Sequence, residues 1–278
     1  MLDRATLAET DRAPAPPRAR GAVRLSAVPG PRAASVIGAL RQEGSLKLLF
    51  PRGAGPSLEA VLLNTAGGLT AGDRMDVAAE AMPGAALTLS TQAAERAYRA
   101  NGPKPACSLV RLSAGEGAAL RWLPQETILF DGCALDRTLD LDLAPGARAL
   151  VAEAVILGRA AMGETVRRGR FRESWTVRTD GRLAFADRLR LEGDPAALLA
   201  RSAPGHAAFA SILLAAPDAA ARLDATRAAL GRHGGASLIA EGLMFARLTA
   251  PDGLALRRIL VPLLETLGQA DLPKVWRL

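Results

Sequence analysis

The chain has 278 residues, 49% of them apolar but only 4% aromatic, and a chain this long buries about three quarters of its unfolded surface. No apolar run approaches the ~20 residues that span a bilayer, and Cys107 and Cys133 stand alone without disulfide or metal-binding spacing, which suits a cytoplasmic protein in a reducing compartment. The net charge of +7 is carried almost wholly by arginine, with Lys47, Lys104 and Lys274 the only lysines, and it lacks the basic stripe interleaved with aromatics that nucleic-acid binding requires.

Met1 to Arg20 sets Asp3, Glu9 and Asp11 among Ala, Pro and Arg. Without an apolar core it is not a secretory signal, and residues 1–21 read as a disordered lead-in. Val23 to Ser26, Ser35 to Phe50 and Leu58 to Leu63 alternate as strands do, separated by Pro29-Gly30-Pro31 and by the run from Pro51 to Pro56. Gly67-Gly68-Leu69-Thr70-Ala71-Gly72-Asp73 follows a strand, where a phosphate loop could sit. It lacks the Gly-Lys-Ser/Thr ending and the three-glycine dinucleotide pattern. It reads as a tight turn in which glycine supplies positive φ and Asp73 bonds the turn's own backbone.

Val77 to Arg99, Val110 to Phe130 and Leu139 to Glu164 then repeat one pattern, an alternating run, a Gly-Ala turn, a second alternating run and a polar Gln or Glu. The turn glycines Gly84, Gly117 and Gly146 are 33 and then 29 residues apart. Stacked repeats of this length put equivalent side chains in register. Gln92, Gln125 with Glu126, and Glu153 are thereby expected to form one polar row.

Arg167 to Arg172 is the one dense basic cluster and reads as a long, solvated hairpin turn suited to an acidic protein partner. Phe171 to Arg178 and Arg182 to Leu191 form a hairpin through Thr179-Asp180-Gly181. From Asp194 the texture changes. Asp194-Pro195-Ala196 is an N-cap followed by proline in the first turn, Asp218 to Leu230 has helical composition, and Leu254 to Leu267 reads as a helix despite Pro262. His206 to Leu214 and Ser237 to Thr249 read as strands. The expected fold is mostly β, with a multi-stranded body of stacked, repeat-like layers over 22–193. An α+β lobe with about two helices follows over 194–278, packed on the body.

Catalytic signatures are lacking. There is no Gly-x-Ser-x-Gly elbow, and His206 and His233, the two histidines, stand outside the repeats. His206 reads as a strand-edge residue and His233 as a loop residue. No cluster of Cys, His and carboxylate has the spacing of a permanent zinc or nickel site.

Five ordered motifs carry a resemblance. They are Leu62 to Asp73, Ser90-Thr91-Gln92-Ala93 ahead of Ala97-Tyr98-Arg99, Trp122 to Gly132, Leu157-Gly158-Arg159 with Gly163-Glu164, and Leu272 to Leu278. In order and spacing they resemble the urease accessory protein UreD, called UreH in some species. The resemblance implies a non-enzymatic scaffold that acts with UreF and UreG on apo-urease to insert nickel, with no permanently bound cofactor and with GTP belonging to UreG. It also admits a dimeric complex formed through UreF, and it implies neither nucleic acid nor membrane as a partner.

Nickel in transit needs weak, successive oxygen ligands that also let go. Asp73, Thr91, Gln92, Glu126, Asp131, Glu153 and Glu164 are the residues expected to line such a path. For each of them the competing role is a turn cap or a salt-bridge partner of Arg96, Arg99, Arg121 or Arg159. Two other functions stay open on the residues alone, a scaffold for another metalloenzyme and a carboxylate-dependent hydrolase. Without a phosphate loop, the purified chain is expected to bind and hydrolyse no GTP. Turnover of GTP by the chain in the absence of UreG would overturn the reading of Gly67 to Asp73 as a plain turn.

Overall fold

The computed structural model of the chain describes residues 17–52 and 55–277. Most of the expected lead-in lies outside these residues, although its last part, from Arg20, already belongs to the first strand. In chain order the strands are β1 (Arg20–Pro29), β2 (Ser35–Gly44), β3 (Leu46–Leu49), β4 (Leu58–Asn64), β5 (Arg74–Ala81), β6 (Ala86–Thr91), β7 (Glu95–Ala97), β8 (Ala106–Ala114) and β9 (Ala119–Leu123). There follow β10 (Thr127–Leu129), β11 (Cys133–Leu143), β12 (Arg148–Leu157), β13 (Gly169–Thr179) and β14 (Arg182–Gly193). The remainder is α1 (Pro195–Ala200), β15 (Ala208–Ala215), α2 (Ala219–Leu230), β16 (Gly234–Ala240), β17 (Leu243–Ala250) and α3 (Gly253–Gly268).

Two sheets face each other. The first runs β14-β13-β11-β8-β5-β1-β2, and the second runs β16-β17-β15-β12-β9-β6-β4-β3, with β10 and β7 beside it. The repeats stack as expected, in parallel: β5, β8 and β11 are neighbours in the first sheet, and β6, β9 and β12 in the second. Each Gly-Ala turn carries the chain from one sheet to the other, with Gly84, Gly117 and Gly146 at φ 71, 63 and 71°. In-register stacking lines like residues up across strands. Val23, Val77, Val110, Leu139 and Trp175 form one such row through the core.

The C-terminal elements continue the second sheet. β15 pairs antiparallel with β12, and β17 and β16 follow it. β15 is buried along its whole length because one face meets the first sheet while the other lies under α3, with α2 covering β16 and β17 beside it. A continuous apolar run suits a strand covered on both sides. α3 presents Leu256, Leu260, Leu263, Leu264 and Leu267 as one stripe to this second core. Asp252 caps its start, accepting from Ala255 N at 2.8 Å. At the far edge Trp175, Phe185 and Phe245 pack together, and Arg247 pairs with Asp187, tying β17 to β14 across the two sheets.

Several local expectations change. Ser237 to Thr249 is not one strand but the hairpin β16–β17, because Glu241-Gly242 turns the chain with Gly242 at φ 68°. Arg167 to Arg172 is no hairpin turn; it runs into β13, where Phe171 points into the core and Arg170 and Arg172 pair with Asp136 and Glu192. The C-terminal region has three helices, since the Asp194 cap, which accepts from Ala197 N, starts the short α1. The Asp180-Gly181 hairpin turn is as expected, with both residues at positive φ. Among the described residues no helix is long and apolar enough to cross a membrane.

Trp175 is fully buried in the inter-sheet core and Leu183 is exposed on an edge strand. Trp175→Ala is therefore expected to cost about 3–5 kcal/mol, while Leu183→Ser stays within about 0.5 kcal/mol. Comparable losses in chemical denaturation would show that the inter-sheet core does not hold the fold.

Candidate functional site

The second sheet is interrupted at one level. β6 stops at Thr91 and resumes as β7 after Gln92-Ala93-Ala94, and β9 stops at Leu123 and resumes as β10 after Pro124-Gln125-Glu126. Pro124 has no N–H to give to a sheet ladder. β12 runs past both breaks, pairing with β9 up to Val151 and with β10 from Val155, so Ala152 to Ala154 face no partner on that side. A cavity of about 230 Å³ opens at this level between the sheets. Its polar lining includes Asn64, Gln92, Glu95, Gln125, Arg137 and Glu153, and it reaches the surface beside exposed Gly67, Gln92 and Ala93.

The inner end of the cavity is charged. Arg137, on β11, and Glu173, directly opposite it on β13, bond through Arg137 Nε at 2.9 Å and again through Nη2. Arg137 Nη1 donates to Thr127 Oγ1 at 2.9 Å, and its guanidinium lies 5.4 Å from the Phe171 ring centroid. From the opposite sheet Glu153 brings Oε2 to 3.1 Å from Arg137 Nε, while its Oε1 accepts from Trp122 Nε1 at 3.0 Å. Glu153 and Glu173 are each 2% exposed. Glu153 Oε2 and Glu173 Oε2 accept no hydrogen bond, because the contact to Glu153 Oε2 is an ion pair out of alignment. Burial pushes the Glu153 carboxyl up to about 7, Arg137 opposing it and Glu173 adding to it. Nearer the mouth, burial also raises Glu95, against the hydrogen bond it accepts from Asn64 Nδ2 at 3.0 Å.

Of the residues expected on a nickel path, the structure brings Thr91, Gln92 and Glu153 to this cavity. Gln125 joins them, taking Thr91 Oγ1 on its backbone N–H at 2.8 Å and giving Nε2 to Val275 O at 3.1 Å. Glu126 points the other way and is held by Arg257 of α3 at 2.6 and 3.0 Å. The reason is the break itself. Trp122 and Thr127 both face the inter-sheet core, five positions apart, so the interruption shifts the alternation by one and turns Glu126 outward.

Asp73, Asp131 and Glu164 lie elsewhere. Asp73 accepts from Thr70 N and Ala19 N, the turn-bonding role read from its sequence. Asp131 accepts from the backbone of Arg167 and Arg168 and pairs with Arg99. Glu164 pairs with Arg159 and accepts from Asp131 N. Arg99 and Arg159 are among the salt-bridge partners named as the competing role, whereas Arg167 and Arg168, which also hold Asp131, are not. The backbone of Arg168 first, with Arg167 and the nearby guanidinia, holds Asp131 below the usual aspartate range. Arg159 does the same for Glu164.

Arg137, Glu173 and Glu95 escaped the reading of the sequence. A signal for the first two is there: in Cys133-Ala134-Leu135-Asp136-Arg137-Thr138-Leu139 and in Phe171-Arg172-Glu173-Ser174-Trp175 each charge occupies the apolar phase of its strand. Among the described residues no three of His, Cys, Asp and Glu gather as metal ligands. His206 precedes β15, bonding Thr249 Oγ1 at 2.7 Å and stacking on His233 at 6.1 Å between ring centroids.

Residues 18–277 match the family model described as UreD urease accessory protein. Similar proteins, each named urease accessory protein UreD, occur in several bacteria. That of Rhizobium rhizogenes is 45% identical over 277 residues, covering 98% of this chain and all of the relative. That of Sinorhizobium medicae is 46% identical over 272 residues, covering 95% of this chain and 98% of the relative. That of Rhizobium etli is 49% identical over 243 residues, with 86% and 88% covered.

The depressed Asp131 carboxyl has a consequence for pH. A carboxylate whose folded pKa lies below its unfolded value of about 3.9 stabilises the fold above that value and loses this contribution as pH falls through the folded pKa. The melting temperature of wild type is expected to exceed that of Asp131→Asn at pH 7, and the gap to close below about pH 4. A gap independent of pH would remove the charge of Asp131 from the explanation.

Proposed function

The chain belongs to the UreD family of urease accessory proteins and is a urease maturation factor, and on that premise we propose that it gives nickel a protected route into apo-urease through the inter-sheet cavity. In this reading it is a scaffold and not an enzyme, docking on apo-urease and working with UreF and with UreG, which supplies the GTP chemistry. The observation that carries the proposal is the cavity. A β core built mainly of Ala, Leu and Val admits a surface-connected cavity at the break in the second sheet, where polar side chains stand among apolar ones and a buried carboxylate closes the inner end. A polar interior of this kind is costly unless water or a cation occupies it.

The oxygens offered to the ion are then Thr91, Gln92 and Glu153, with Glu95 near the mouth. They are hard or borderline donors with no thiolate among them, suited to brief coordination in place of storage. Asp73, Glu126, Asp131 and Glu164 keep the turns and α3 in place around the passage. Exposed Val36, Ile37, Leu40 and Leu49 give the scaffold apolar surface for a protein partner.

Replacing Glu153 by Gln or Ala is expected to lower the nickel content of urease in cells while the complex with UreF and UreG still forms. Glu153→Leu should be worse than Ala, since it removes the oxygens and narrows the passage. Combining Glu153→Ala with Gln92→Ala should cost more than either change alone. Full nickel loading in the double variant, at matched complex levels, would sink the passage.

A further inference from the structure

A cluster of two carboxylates and one guanidinium carries a surplus negative charge whenever both carboxylates are ionised, and here the whole cluster is buried. Arg137 is 7% exposed, and the side chains of Glu153 and Glu173 are 2% and 1% exposed. Each carboxylate spends one oxygen and leaves the other, Glu153 Oε2 and Glu173 Oε2, with no hydrogen-bond donor. The two carboxylates belong to strands of opposite sheets and converge on the same guanidinium, Glu153 through Oε2 and Glu173 through Oε1. The groups in contact with the cluster do not supply the missing positive charge: Trp122 and Thr127 are neutral, and Arg257 is engaged with Glu126 and Gln125. Arg96, the other cation on the cavity lining, is exposed and acts on Glu95.

We infer that Glu153 and Glu173 form a two-carboxylate site for a divalent cation and that Arg137 masks it, a tethered cation that competes with the mobile one. This deepens the passage proposed above and rests on that reading. Two buried carboxylates with no competitor would hold a divalent ion too firmly for one that must move on, because conduction requires binding weak enough to leave. An arginine cannot shed its charge as a lysine can, and its planar fork serves two carboxylates at once. Arg137 therefore neutralises part of the pair between passages and lowers the affinity of the site during them. It acts on the ion through the carboxylates and is a positioning residue.

The test is nickel retention by the full chain, purified with UreF, using Ni²⁺ alone as probe in equilibrium dialysis and the wild-type preparation as reference. Removing the mask in Arg137→Met is expected to tighten nickel binding about tenfold or more, since a buried charge pair that loses its partner seeks another cation. Arg137→Lys, which keeps a tethered charge, should remain near wild type. Arg137→Met combined with Glu173→Gln should return the affinity toward wild type. A folded Arg137→Met that retains no more nickel than wild type overturns the inference. If Arg137→Met does not fold, Glu173→Gln alone decides, because it leaves Arg137 matched to one carboxylate: about fivefold weaker residual nickel binding supports the site, and unchanged binding overturns it. Nickel retained on this chain and nickel delivered to urease are separate readouts, so the masked site can fail while the passage stands, and the passage can fail while the site binds.

Discussion

Parallel strands stacked in register impose one condition on everything else in this molecule. Whatever faces inward at a given level of one strand has as its neighbours the inward residues at the same level of the strands beside it. Through most of the body the condition is met by Val, Leu and Ala, which interlock into the rows that end on Trp175. At the level of Arg137 it is met by charge. Arg137 and Glu173 are direct neighbours by register, and Glu153 reaches them from the opposite sheet because its own neighbours, Val151 and Val155, face the same core. One inward arginine thus demands carboxylates nearby, and the two that answer come from strands 20 residues apart in the chain.

Such a cluster is a poor source of stability. Desolvating charged groups offsets most of their attraction, and an apolar filling of the same volume often does as well. Its presence in a core otherwise made of small aliphatic side chains makes sense as chemistry retained for use. The geometry is in keeping with the proposed passage, since Arg137 and Glu153 line the cavity and two of the cluster's oxygens have no donor.

The breaks in β6–β7 and β9–β10 create a second requirement, because interrupted strands release backbone groups that must find partners. The C-terminal segment and α3 supply one of them and hold the side chains of the break as well. Trp276 Nε1 donates to Leu123 O at 2.9 Å, Val275 O accepts from Gln125, and Arg257 of α3 grips Glu126 while lying over the Trp276 ring. Other groups are met within the body, where Gln92 N donates to Leu62 O and Glu95 N to Glu126 O. The last residues of the chain therefore serve the same site as the central repeats. This ties together two sequence motifs, Trp122 to Gly132 and Leu272 to Leu278, that are about 150 residues apart.

Alternation of period two and the regular placing of Gly84, Gly117 and Gly146 determined the stacked, mostly β body. Both are local properties, fixed by strand geometry and by the turn conformations that glycine allows. The cap at Asp194, the Asp180-Gly181 turn and the bonding of Asp73 to its own turn were legible for the same reason. Which polar residues meet was decided only in three dimensions. Glu126 looked like a member of the interior row until a break of three residues shifted the strand's phase and turned it toward Arg257. Arg137 and Glu173 drew no attention in the sequence, and the parallel register sets them side by side under Glu153. That β15, β16 and β17 extend the second sheet, instead of forming a sheet of their own, was equally invisible, because pairing between distant strands depends on a shared core that no local pattern encodes.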